Sequence, residues 1–180
     1  MIIFDVGANN GRTFERYFGD PYYQIYLFEP TPKLCNDIKH WIGNYNNIHL
    51  IESAVDIDES PKTFYVAGQA DWGCSSLHEF SDNLNETWPG RTDFKVTETI
   101  TVSCIRLDTF IKSNNIVSID YLHIDTQGND LNVLKSLGKY VSIVNEGQIE
   151  VPQSDKVKLY KTQHTQNETR EWLYNNGFIV

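Results

Sequence analysis

Apolar positions along the chain come in short, nearly unbroken runs separated by segments of helical period. Residues 2–6, IIFDV, enclose a single acid among apolar side chains and break into Gly7-Ala8-Asn9-Asn10-Gly11. That pattern predicts a buried strand that ends in a loop of small residues. Phe14, Tyr17 and Phe18, at spacing i, i+3, i+4, predict a short helix over 12–18. A second strand is expected at 24–28, ending on Glu29-Pro30. Thr31 as N-cap, Pro32 in the first turn and Gly43 just past the end delimit the next helix, with Leu34, Ile38, Trp41 and Ile42 on one face. A third strand is expected at 48–51.

From 63 to 106 the alternation breaks. Two β-like runs, 63–66 and 97–105, flank a polar segment that carries Trp72, Trp88 and Phe94, and they predict a hairpin with a long loop. The alternation then resumes. A helix is expected over 107–112, a fourth parallel strand at 121–124, and a helix that Asp130 caps and that ends at Gly138. For the next strand, 141–144 and 148–151 compete equally. Residues 152–166 read as a polar loop, 168–174 as a final helix and 178–180 as a last strand fragment. Strands alternating with helices argue for an α/β fold, a doubly wound, mostly parallel sheet with an insert between its third and fourth parallel strands. We expect one domain over 1–180, with residues 60–106 as a substrate lid.

The 180 residues are 40% hydrophobic and 22% charged, with a formal net charge of −9. No basic run is present, which disfavours nucleic acid and anionic membrane surfaces as partners. Cys35, Cys74 and Cys104 are odd in number and far apart, so they suit neither a disulfide framework nor a zinc site. No apolar stretch reaches a membrane span and no signal-like segment opens the chain, so the expected location is the cytoplasm.

The chemistry-bearing residues fall just after strands, where open α/β sheets bind ligands. Asp5-x-Gly7-x-x-x-Gly11 is a loop that lets backbone approach a ligand. It lacks G-x-G-x-x-G, because Asn9 stands where a dinucleotide site needs its middle glycine. Glu29, at the tip of the second strand, can accept hydrogen bonds from both hydroxyls of a ribose. Loop and acid together suggest an adenosine that carries a charged amino-acid end in place of phosphates, namely S-adenosylmethionine. Asp5 is then available to its ammonium group. Asp125 ends the fourth strand beside the first and faces the same cleft.

The segments DVGANNG, FEP, CSSL, IRLDTFI, IDYLHIDTQGNDLNVLKSL and NNGFIV together resemble the FkbM family of S-adenosylmethionine-dependent methyltransferases, over nearly the whole chain. The resemblance implies a class I methyltransferase, Rossmann-like fold and methyl transfer to a hydroxyl of a sugar, glycan or polyketide-type small molecule. It implies that Asp5, Gly7, Ala8, Asn9, Asn10, Gly11 and Thr13 form the cofactor loop. Glu29 with Pro30 would meet the ribose, Ser53 and Ala54 the adenine, and Asp125, Thr126 and Gln127 would border the transfer site. Gln127 stands where the family often has Glu. The ends look short for the family, and a minimal domain would leave a sheet edge that a second copy could cover.

A hydroxyl acceptor needs a base. Asp125 and Glu150 are the leading candidates, with His123, His78 and Asp71 behind them. Asp125 alone does not make a metal site, and none is assigned. A non-catalytic module that binds S-adenosylmethionine is the alternative. A nicotinamide-dependent sugar enzyme is disfavoured, since neither G-x-G-x-x-G nor Tyr-x-x-x-Lys is present.

Overall fold

The structure is a computed structural model that describes residues 1–67, 72–91, 94–154 and 156–180, without the side chain of Trp72. Its strands and helices run in the order β1 (Ile2–Val6), β2 (Gln24–Phe28), α1 (Pro32–Ile42), β3 (Ile48–Ile51), β4 (Ala54–Val55), β5 (Lys62–Ala67), α2 (Leu84–Thr87), β6 (Val96–Val102), β7 (Cys104–Ile105), α3 (Leu107–Ser113), β8 (Ile119–Ile124), α4 (Asp130–Ser136), β9 (Val144–Ile149) and α5 (Gln166–Asn175).

Five strands form one parallel sheet in the order β3-β2-β1-β8-β9. The chain winds outward from β1 in one direction to β3, then returns to the other side of β1 with β8. The carboxyl ends of β1 and β8 therefore sit at a topological switch point, where a crevice opens. This is the doubly wound, Rossmann-like sheet the alternation implies.

The central strands β1, β2 and β8 are mostly apolar, with Asp5, Gln24, Asp120 and His123 as exceptions, because helices cover both faces. Phe4, Val6, Phe28, Leu122 and Ile124 pack with Leu107, Phe110 and Ile111 of α3 and Leu131 and Leu134 of α4. The alternate residues Ile3, Ile25, Leu27 and Ile48 pack with Ile38 of α1 and with Phe14. Cys35 and Cys104 are buried side chains of the interior.

The insert is an antiparallel pair, β5 with β6, set apart from the main sheet, while β4 pairs with β7 in parallel. Among the described residues no helix is long and apolar enough to cross a membrane.

Five local expectations are corrected. Residues 12–18 do not form a helix; they hold one 3-10 turn, Glu15–Tyr17. Their aromatic rings reach separate partners, Phe14 to Tyr121 and His123, Tyr17 to Tyr23 and Phe18 to Trp41, which a single helical face cannot serve. The fifth strand is neither 141–144 nor 148–151 but spans between them, with Ile119 opposite Val144 and Ile124 opposite Ile149. Asn129 is the N-cap of α4, and Asp130 is its first residue. Residues 178–180 carry no strand. Residues 152–166 are less of a loop than their polarity suggests, since Tyr160 is 1% exposed and bridges to Phe80 of the insert.

Candidate functional site

The opening loop is built by backbone demands. Gly7 adopts φ +85°, and a Cβ there would stand 1.9 Å from the carbonyl oxygen of Asp125. Only glycine lets β1 and β8 close up at this point. The amides of Gly7 and Ala8 both donate to Phe28 O at 3.0 Å, and Asp125 N donates to Val6 O at 3.0 Å. The ends of β2, β1 and β8 are thereby held together around one opening.

Asn9 takes the left-handed conformation, φ 51°, and its amide donates to Glu29 Oε2 at 2.9 Å. Thr31 N donates to Glu29 Oε1 at 2.8 Å. Glu29 thus grips the loop before it touches any ligand, and each oxygen keeps lone-pair capacity for a hydroxyl. The side chain is only 4% exposed, and burial raises its pKa to about 7 against the amide bonds that pull it down.

Above these strand ends lies a cavity of about 410 Å³, within the range of small-ligand sites. Of the sequence candidates, Gly7, Asn9, Glu29, Pro30, Ser53, Ala54, Asp125, Thr126, Gln127 and Glu150 line it. Asp5, Ala8, Asn10, Gly11 and Thr13 do not. Asp5 is fully buried behind the loop, with Oδ1 on His123 Nδ1 at 2.8 Å and Oδ2 without a hydrogen-bond partner among the described residues. Gly11 faces the core instead of the opening: a Cβ there would lie 2.9 Å from the ring of Trp41. The loop's second glycine therefore serves the packing of α1.

Another part of the wall brings together Asp125, Gln127 and Glu150. Glu150 N donates to Ile124 O at 3.0 Å, which places the residue after β9 beside the residue after β8. Gln127 Nε2 donates to Asp125 Oδ1 at 2.7 Å and to Glu150 Oε2 at 2.8 Å. Lost hydration and the charge of Asp125 push Glu150 up to about 8. Asp130 has turned away from this group. Its buried carboxylate accepts from Thr126 N, Thr126 Oγ1 and Gly128 N at 2.8, 3.0 and 2.9 Å, fixing the loop that carries Gln127.

The other two histidine candidates stand outside the cavity lining. His123 is raised by its bond to Asp5, and His78 bridges Asn129 and Thr162 as a tie between the insert and the rest of the fold. Asp71 lies outside the described residues. Phe94 lines the cavity, with Trp88 edge-on against it at 5.6 Å. The insert also contributes Phe64, Leu77 and Arg91 to the walls. Sequence reasoning missed these residues and Leu34 of α1. Only Leu34, on the apolar face of its helix, carried a readable signal.

Three carboxyl groups and one guanidinium stand among the wall residues, and two of the carboxyls, Glu29 and Glu150, are held partly in the acid form near neutrality. Among the described residues no group of three or more His, Cys, Asp or Glu side chains comes together to hold a metal ion.

The model of the methyltransferase FkbM domain matches residues 5–180. The chain belongs to the FkbM methyltransferase family. It is also similar to the 2-O-methyltransferase NoeI of Sinorhizobium fredii (strain NBRC 101917 / NGR234), at 27% identity over 139 residues, covering 74% of this chain and 56% of that protein. The match thus spans little more than half of the relative's length. No solved structure matches significantly.

Proposed function

We propose that this FkbM-family chain is an S-adenosylmethionine-dependent methyltransferase that methylates a hydroxyl oxygen on a sugar, glycan or polyketide-type small molecule. The observation that carries the proposal is the buried Glu29, cross-linked to the opening loop through Asn9 and facing the same cavity as Asp125 and Glu150. When bound, S-adenosylmethionine supplies a methyl group on a positively charged sulfur. Glu29 accepts the ribose hydroxyls, with Pro30, Ser53 and Ala54 along the adenosine and Gly7 and Asn9 along the amino-acid end.

Asp125 and Glu150 stand at the far wall as the proton acceptors for the acceptor hydroxyl. A carboxylate raised to about 8 is mostly protonated at pH 7 and becomes the stronger base as it ionises, so proton removal from the hydroxyl should quicken as pH rises through 8. Phe64, Leu77 and Phe94 supply apolar surface that holds the acceptor and limits water. The 2-O-methyltransferase activity in the relative's name agrees with an oxygen acceptor.

The test is a calorimetric titration with S-adenosylmethionine of the wild type and of Glu29→Ala. The proposal expects binding in the micromolar range that is lost, or weakened more than about tenfold, in the variant. No heat from the wild type at millimolar donor would refute it, and equal affinity in the variant would remove Glu29 from the site.

A further inference from the structure

Gln127 is held more tightly than a loop side chain requires. Its backbone is left-handed, φ 57°, a conformation an L-residue keeps only when its surroundings fix it. The fixing contacts are on every side. Ser76 Oγ donates to Gln127 O at 2.6 Å, and Tyr160 OH shares its one proton between Gln127 Oε1 at 2.9 Å and Cys74 O at 2.8 Å. The amide nitrogen then has both its hydrogens on carboxylates, Asp125 and Glu150. Tyr160 is itself locked: its ring is 1% exposed, stacks on Phe80 at 5.3 Å, and sits where a Cβ on Gly128 would come within 2.8 Å.

We propose that Tyr160 is a positioning residue acting through Gln127: its hydroxyl helps fix which end of the Gln127 amide faces the two acids, so that both N–H groups are presented to Asp125 and Glu150. This rests on the reading of Asp125 and Glu150 as the proton acceptors. An uncharged donor pair at this position answers two negative charges where a third carboxylate would add to them. Hydrogen bonds to the charged form favour that form. The other groups acting on Glu150 push the opposite way: lost hydration, Asp125 by its charge and by a direct hydrogen bond between the two carboxyls, and the charge of Asp130. Tyr160 stays a neutral donor, because burial holds its phenol far above the usual range. His123 feels Asp125 too but is committed to Asp5.

The test needs no acceptor. The Glu150 carboxyl is followed by carbon NMR in protein labelled at the glutamate side-chain carboxyl, over pH 5 to 10. The probes are wild type, Tyr160→Phe, Gln127→Met and the double variant, with the Glu150→Gln protein assigning the signal. Gln127→Met should raise the Glu150 midpoint by about one unit or more, since it deletes both donors. Tyr160→Phe, which keeps the stacked ring, should raise it by a smaller amount. The double variant should titrate like Gln127→Met alone.

An unchanged midpoint in Gln127→Met would overturn the proposal, as would shifts that add in the double variant, because Tyr160 would then act by another route. If a variant fails to fold, as amide dispersion would show, Gln127→Glu replaces it. That variant should raise the midpoint further, and an unshifted midpoint there also counts against the proposal. Failure of donor binding in the wild type would defeat the methyltransferase reading while leaving these shifts as predicted.

Discussion

If Glu29 grips the ribose as a carboxylate, donor affinity must depend on pH in a window that burial has moved. The unperturbed side chain ionises near 4.5, but here the midpoint is about 7. About one-tenth of the empty protein carries an ionised Glu29 at pH 6 and about nine-tenths at pH 8. Two ribose hydroxyls donate far better to the anion than to the acid. Affinity for S-adenosylmethionine should therefore fall about tenfold between pH 8 and pH 6, about 1.4 kcal/mol. At pH 7, binding should also release roughly half a proton, because the bound donor pulls the midpoint down. Calorimetry at pH 6, 7 and 8, with pH 7 repeated in two buffers of different ionisation enthalpy, measures both quantities. Glu29→Gln, which cannot titrate, should bind more weakly and lose the Glu29-linked pH dependence. A wild-type affinity that is flat across this window, with no proton released, would refute the argument from burial.

Gly7→Ala should destabilise the fold by roughly 3 kcal/mol or more, because a positive φ and a backbone oxygen 1.9 Å away leave the methyl nowhere to go; thermal unfolding reads this out. Gly11→Ala should also destabilise, its methyl pressing on the Trp41 side chain, but should spare donor affinity more than Gly7→Ala does. The ligand-free protein should lose stability as pH rises from 5 to 8. Glu29, Asp130 and Glu150 are raised to about 7, 6 and 8, so unfolding lets each ionise earlier, and their stabilisation is complete only below the unfolded values. A melting temperature that climbs across that range would contradict the three assignments. Thr165→Ala removes one half of the capping box with Glu168 at the start of α5 and should cost about 1 kcal/mol while leaving donor affinity unchanged, by denaturant unfolding and calorimetry.

What the sequence revealed follows from where periodic burial is strong. β1, β2, β3 and α1 were legible to the residue, because apolar runs covered on both faces and a Thr-Pro start leave little freedom. β9 was not, since Asn145, Glu146, Gly147 and Gln148 are exposed and its register comes from β8. The cavity wall near Gly7 and Glu29 could be read because its residues follow directly on strands. Gly11 looked like part of that wall, yet its glycine answers to Trp41, a contact 30 residues away that no local pattern encodes. Tyr160 was hidden for the same reason. It lies in a polar stretch, and its burial depends on Phe80, Gln127 and Gly128 meeting it in three dimensions. Glu150 could be suspected as a strand-end acid, but its pairing with Asp125 through Gln127 needed the β8–β9 register.

The central claim is methyl transfer to oxygen from this cleft. The most direct measurement offers the protein S-adenosylmethionine carrying an isotopic methyl group, with a panel of monosaccharides, short glycans and polyketide-type alcohols, beside Asp125→Asn. Label should appear on a hydroxyl oxygen of at least one acceptor, seen as a methyl ether by mass and NMR, with a large loss of rate in the variant. Donor bound as predicted with no acceptor labelled, or transfer undiminished in Asp125→Asn, would contradict it.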